Sequence, residues 1–413
     1  MNSHLQLLNQ FSVVLTPRGN RIMPYWRLSN FYFFYFALLG AIAPFMPLYL
    51  EYLGFTPARI GELLALPMLM RCLAPNLWGW LGDRSGQRLR IVRWGSGLTL
   101  AGFSLIFLRQ DYGWLVLVML LHAFFWHAIL PQFEVITFAH LRSRPERYSR
   151  IRLWGSVGFI ATVVWMGHLF DRHGLQGYPL LVCLIMAGIW LSSLLVPSAG
   201  SSHASAGQGA HPIGQILRQR PVLVFYLGVV LMQVSHGPYY SFLSIYLGEL
   251  GYSRIVTGWL WSLGVLAEIV LFLLMPRILL RFGVRQILLA CFLLASIRWL
   301  MLGVLADRLY WLLLIQLLHA ATFGCFHIGA MQFVQQRFPR GRQGMGQSLY
   351  VSLSGVGAAA GALYAGYLWQ PAGAFATFAV ASLVAAVAFV ALWAGLRKEQ
   401  DENPQRELAG ADI

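Results

Sequence analysis

A carboxylate, a guanidinium and an imidazole on three successive apolar stretches can take up and release a proton. This chain carries such a set in Glu268, Arg298 and His319. A charged side chain in hydrocarbon costs about 2.5–3.5 kcal/mol on insertion scales, so each should face a cavity or a partner. Three more ionised residues make up the deep set in the first half: Arg71, Glu134 and Arg152. A coupled proton needs a group tuned by burial and by a nearby arginine, so the expected mechanism has Glu268 beside Arg298, competing with a bound carboxylate. Protonated Glu268 would then release Arg298 to hold the solute. His319 and His327, eight residues apart and about 12 Å along a helix axis, share nearly one face and are further candidates for the proton carrier.

A carboxylate solute needs a fixed cation, best a guanidinium fork. Arg298, Arg152 and Arg71 are the candidates. An aromatic solute needs flat apolar walls, which Trp126, Phe159, Tyr239, Tyr240 and Phe323 can supply. Gln233, His236, Tyr240 and Ser244 fall at i, i+3, i+7 and i+11 and form one polar stripe. His127 and Glu134, seven apart, share another helix face. No Ser-His-Asp set, HExxH or phosphate loop occurs, which argues against an enzyme and against ATP hydrolysis. Cys72, Cys183, Cys291 and Cys325 have no metal spacing and read as small buried hydrophobes. The expectation is no metal and no cofactor, with a proton gradient as the driving force.

The elements that must position these residues are membrane helices. The chain of 413 residues is 58% hydrophobic and only 11% charged, against about 25% charged in soluble domains. Twelve apolar runs are long enough to cross a bilayer, near 28–50, 57–81, 92–109, 114–138, 148–170, 178–196, 221–247, 255–276, 286–305, 309–335, 345–368 and 373–396. The net charge of +15 lies in alternate loops, so it marks membrane orientation rather than nucleic-acid binding. Arg84, Arg88, Arg90, Arg147, Arg220, Arg281, Arg285 and Arg342 belong to the rich side; the other side holds Arg59, Arg109, Arg172, Arg254 and Arg308. This puts both termini in the cytoplasm. The division is a tail over 1–24, a six-helix half over 25–197, a Ser/Gly/Ala/His-rich linker over 198–220, a second half over 221–396 and a tail over 397–413. Met23 is an alternative start. His203 and His211 sit in the linker and read as solvated.

The two halves are copies of one unit. At an offset of 197, Leu50–Thr56 is echoed by Leu247–Ser253, Gly61 by Gly258, and Leu121-His122-Ala123 by Leu318-His319-Ala320. The offset drifts to 199, where Gly167 matches Gly366. Glu268 is the mate of Arg71. Gly357 and Gly361 form a small-residue packing stripe. Such parallel repeats are one transporter architecture.

Between the second and third runs stands Gly79-Trp-Leu-Gly-Asp83-Arg84-Ser-Gly86-Gln-Arg88, with a degenerate copy at Arg281, Gly283 and Arg285. Asp83 and Arg84 can close a charge pair at the membrane surface. The spacing resembles the loop motif of the major facilitator superfamily. That resemblance implies twelve helices in two pseudo-symmetric halves around a central cavity, with this loop as a conformational switch. Glu134 and Arg-x-aromatic-Gly-x-Val-Gly-aromatic from Arg152 resemble the sugar-contacting part of lactose permease and its relatives. Glu268, Arg298 and His319 resemble that family's proton group, with Thr322 where it has a second carboxylate. The chain as a whole more closely resembles the 3-phenylpropionate transporter family, through Arg152–Val157, His236 with Tyr239-Tyr240, Trp261–Val265 with Glu268, Arg298-Trp299, and Gln316 through His327. The resemblance implies proton-driven symport of an aromatic carboxylate; a monomer in a bacterial inner membrane is the expectation. A sugar or nucleoside symporter is the alternative, and a drug antiporter a weaker one.

Overall fold

The computed structural model describes residues 24–141, 147–198, 213–339 and 341–396. Expectations for 1–23, 199–212 and 397–413, including His203, His211 and the Met23 start, lie outside the described residues.

Within the described residues, helices α1 (Tyr25–Tyr52), α2 (Pro57–Ser85), α3 (Arg88–Ser104), α4 (Tyr112–Leu141), α5 (Arg147–His173) and α6 (Tyr178–Leu195) form the first half. The second holds α7 (Arg220–Glu249), α8 (Arg254–Arg281), α9 (Val284–Leu305) and α10 (Leu309–Arg337). The helical stretch Gln343–Gly395 is broken by a non-helical Gly373 (φ 76°, ψ 178°), which divides it into α11 (343–372) and α12 (374–395). Gly373 follows Pro371, and only glycine takes that φ without strain. Ten described helices are long and apolar enough to cross a membrane when this stretch counts as one and the 17-residue α3 is left out. Dividing the stretch and adding α3 gives the expected twelve.

The repeat has a local physical cause. Gly54 and its mate Gly251 both adopt a left-handed φ of 82°. Two residues on, Thr56 and its mate Ser253 cap α2 and α8, accepting the N–H of Arg59 at 3.5 Å and of Val256 at 3.3 Å. A left-handed glycine followed by a hydroxyl cap stops one helix and starts the next in both halves.

Within each half the same helix pairs touch: α1 with α5 and α7 with α11, α2 with α4 and α8 with α10. The packing stripe behaves as expected. A Cβ on Gly357 would lie 2.4 Å from the Val230 carbonyl oxygen, and one on Gly361 2.7 Å from that of Val234, so α11 lies against α7 backbone to backbone.

The halves meet along two seams, α2–α11 and α5–α8, and both are closed at the arginine-poor end. A Cβ on Gly61 would lie 2.6 Å from the Ala362 oxygen, and one on its mate Gly258 2.7 Å from the Val163 oxygen. Gly167 stands equally close to the Arg254 carbonyl, and Gly366 to that of Pro57. Asp171 accepts the backbone N–H of Arg254 at 2.8 Å, and Glu62 accepts both Tyr112 of its own half and Tyr367 of the other. Farther along, Cys72 donates to the Ser352 carbonyl and Asn76 to its hydroxyl.

Candidate functional site

Helix α10 changes winding at the site. Ala320–Cys325 is a π segment between α-helical turns ending at His319 and restarting at Phe326. Such wide turns cluster where side chains must be re-aimed. The wider turn stacks His319 on Phe323, with centroids 5.4 Å apart and planes 8° apart. Tyr239 of α7 covers the imidazole at 5.3 Å, and Tyr240 stands edge-on at 6.3 Å. Enclosed this way, His319 Nε2 meets Glu268 Oε1 of α8 at 3.0 Å, with both side chains largely buried. Gly264 makes room: a Cβ there would lie 3.2 Å from His319 Cδ2.

Arg298 does not pair with Glu268, contrary to expectation. It is fully buried. Its Nε donates to the Ile315 carbonyl at 2.9 Å, one terminal nitrogen to Thr322 Oγ1 at 2.9 Å, and the other to Gln316 Oε1 at 3.2 Å. The rings of Tyr239 and Trp299 lie 4.4 and 4.5 Å from the guanidinium carbon. Every side of the fork is occupied by this chain, because Thr322 and Gln316 take the place a carboxylate would have. Gln316 Oε1 also accepts from Tyr239 at 3.1 Å. Arg298 therefore ties α9 to both sides of the His319 turn.

His236 bonds the Met232 carbonyl through Nδ1 at 2.8 Å and leans on Trp299. Its Nε2, with Gln316 Nε2 and His319 Nδ1, is buried without a partner. His327, one π segment beyond His319, meets the Tyr350 hydroxyl at 3.1 Å.

In the first half, Glu134 and Arg152 form no ion pair. Glu134 accepts the Tyr148 hydroxyl at 3.1 Å, while Arg152 lies 3.7 Å over the face of Phe36. His127 Nε2 bonds the Pro67 carbonyl of α2 at 3.0 Å. Arg71 of α2 is half-buried and makes no hydrogen bond, ion pair or ring contact among the described residues.

Of the expected aromatic walls, Tyr240 and Phe323 are accessible, Phe323 by 37%. Trp126, Phe159 and Tyr239 are buried in helix interfaces. Trp126 packs on Tyr35 and His122, and Phe159 sits where α5 crosses Gly40 of α1. An aromatic in a small-residue groove is pulled into packing, and periodicity alone does not separate the two outcomes.

In the loop motif, Asp83 pairs with Arg88 rather than with Arg84, and Arg84 stands over the ring of Trp80. Neighbours in sequence on a helix point apart, whereas Arg88 opens α3 across the turn at Gly86, whose φ is 64°. Arg88 also donates to Gln132 of α4 at 2.6 Å, and Gly82 presses on the same amide, so the motif locks α2, α3 and α4 together. Gly79 has open space beside it.

Sequence reasoning missed Tyr148, Phe36 and Tyr350, and the seam acids Glu62 and Asp171. The tyrosines and Phe36 gave no signal among 44 Phe and Tyr residues. Glu62 follows repeat glycine Gly61, and Asp171 lies just beyond repeat glycine Gly167, so the repeat pointed at both. Among the described residues no group of three or more His, Cys, Asp or Glu could hold a metal ion.

Comparison with known proteins gives the same architecture. A relative from Escherichia coli (strain K12) named "Probable 3-phenylpropionic acid transporter" is 30% identical over 359 residues, covering 86% of this chain and 93% of that one. The maltose permease of Geobacillus stearothermophilus is 26% identical over 375 residues, covering 88% and 93%. The crystal structure of the nucleoside transporter NupG superposes with a TM-score of 0.79 over 90% of this chain and 99% of that one, at 17% identity, which shows a shared fold. The family model described as MFS_1 like family matches residues 25–380. Twelve helices in two repeated halves, a 30%-identical transporter over nearly the whole length and that family match lead to one conclusion: the chain belongs to the MFS_1-like family of the major facilitator superfamily, multi-pass membrane transporters and not enzymes.

Proposed function

We propose that the protein is a proton-coupled symporter that imports a small aromatic carboxylate, such as 3-phenylpropionate, by alternating access. The observation that carries this is the contact between Glu268 and His319, 3.0 Å long and enclosed by Tyr239, Tyr240 and Phe323. A carboxylate and an imidazole this close share an added proton as carboxylate–imidazolium or as acid–imidazole, and they titrate as a pair. The rings exclude water from that proton and offer flat surfaces to an aromatic solute. The name of the 30%-identical relative supports the same solute class.

The seams closed at the arginine-poor end support a state open toward the arginine-rich side. By the positive-inside rule that side is the cytoplasm of a bacterial inner membrane, with both termini there. The reading is of a monomer, in which both seams lie within one chain.

A second reading is a sugar or nucleoside symporter. Glu134 with Tyr148, near Arg152, favours it, because it offers acceptors and donors to hydroxyl groups. Uptake into vesicles with an imposed pH gradient separates the two, using 3-phenylpropionate, cinnamate, a β-galactoside and a nucleoside. Accumulation of the acids alone is expected. Accumulation of the neutral sugar or nucleoside without either acid overturns the proposal.

A further inference from the structure

Five ionised residues lie deep in the spans, and four of them are engaged. Glu268 is on His319, Glu134 on Tyr148, Arg298 on Ile315, Gln316 and Thr322, and Arg152 on the face of Phe36. Arg71 alone forms no hydrogen bond, ion pair or ring contact among the described residues, and it is only half-buried. A guanidinium carries five N–H donors and no acceptor. Leaving it without a partner at membrane depth is costly, so the missing partner is an anion or water.

Its surroundings point to the anion. Arg71 stands on α2, one turn beyond Pro67, whose carbonyl is taken by His127 of α4. It lies within electrostatic reach of Tyr35 on α1, His127 on α4, Tyr240 on α7, His327 on α10 and Tyr350 on α11. These come from both halves, and none is a carboxylate. They are rings and hydroxyls, with Tyr240 reaching on to Phe323 at 6.2 Å. An unpartnered cation whose charge is felt by aromatic and neutral hydrogen-bonding groups on five helices suits a carboxylate attached to an aromatic ring. The repeat adds meaning to the position. Arg71 and Glu268 are mates at the 197 offset, so the pseudo-symmetry sets a free cation in one half against a proton-holding acid in the other.

We propose that Arg71 is the residue that binds the carboxylate of the transported solute, whereas Arg298 is a positioning residue that never touches it. This rests on the aromatic-carboxylate reading for the solute's ring, but the anion seat itself is testable with simpler acids. Docking on Arg71 places the solute against groups of α7, α10 and α11, so the bound anion bridges the halves.

The test measures binding of 3-phenylpropionate and its neutral amide, 3-phenylpropionamide, to the purified full-length protein. The wild type is expected to prefer the acid by about tenfold or more. In Arg71→Gln that preference falls to within about twofold through loss of acid affinity, with amide binding unchanged. Arg71→Lys keeps a cation without the fork and retains a reduced preference, which also guards against a Gln variant that fails to fold. Thr322→Val removes one acceptor from Arg298 and leaves the preference intact. Benzoate is the second probe: at constant ionic strength it raises the melting temperature of the wild type and not of Arg71→Gln. Retention of the acid preference by Arg71→Gln, or its loss in Thr322→Val, overturns the proposal. Should benzoate act through Arg71 while phenylpropionate does not bind, the anion seat stands and the phenylpropionate reading falls. Should no carboxylate bind the wild type, both fall.

Discussion

Asp171 caps a helix that belongs to the other half of the molecule. Its carboxylate accepts the N–H of Arg254 at 2.8 Å and of Ile255 at 3.3 Å, the first two residues of α8. Those N–H groups have no intrahelical partner and carry the positive end of the helix dipole. Arg254 returns a bond to the Phe170 carbonyl at 2.9 Å, beside the glycine contact of Gly167. Closing this seam thus satisfies groups that opening must hand to water.

Asp171→Ala removes the cap and should weaken the closed seam by about 1 kcal/mol. The population open at the arginine-poor end is expected to rise about fivefold. Spin-label distances between α5 and α8 at that end read it directly. An unchanged distance distribution would show that the glycine packing alone holds the seam.

Gly258→Val places a Cβ where 2.7 Å separates it from the Val163 oxygen, a backbone atom that cannot turn aside. Overpacking of this kind costs about 1–3 kcal/mol. The seam should spread, and so should the other seam in Gly61→Val, its repeat-mate, whose Cβ would lie 2.6 Å from the Ala362 oxygen. Labelling of single cysteines near Leu48 and Ser244, in the cleft at that end, is expected to speed up in both variants.

Glu268→Gln keeps the shape of the pair with His319 but removes the carboxylate. Downhill exchange of solute should persist, while accumulation driven by a pH gradient is lost. Exchange and accumulation assays on the same vesicles check this. Full accumulation in the variant would move the proton to another group.

Arg298→Lys cannot reproduce three bonds in three directions, and it strands Ile315, Gln316 and Thr322 in a buried setting. The expected cost is about 3 kcal/mol, seen as a lower melting temperature. Because the same bonds hold the π segment, hydrogen exchange should quicken across residues 315–327 and stay unchanged in α3.

Much of the protein was legible in the chain itself. Twelve spans follow from the length and apolarity of each run, since hydrocarbon demands closed backbone bonding within a segment. The two halves follow from repeated glycines and caps such as Gly54-Phe55-Thr56 and Gly251-Tyr252-Ser253, which act on their own neighbours in sequence. The set of deep charges was equally visible, because any ionised residue in such a run stands out.

Which of those charges are free was decided by tertiary packing. Arg298 and Arg71 look alike in sequence, each an arginine well inside an apolar helix. One is saturated because α10 brings Ile315, Gln316 and Thr322 around it, and the other is left open because the groups that reach it from five helices offer no carboxylate. Glu268 found His319 rather than Arg298 for the same reason: a π segment turned the imidazole toward α8 while Thr322 closed over the guanidinium. Helix periodicity tells which residues share a face. Whether a hydrogen-bonding group on that face still has capacity depends on partners tens to hundreds of residues away.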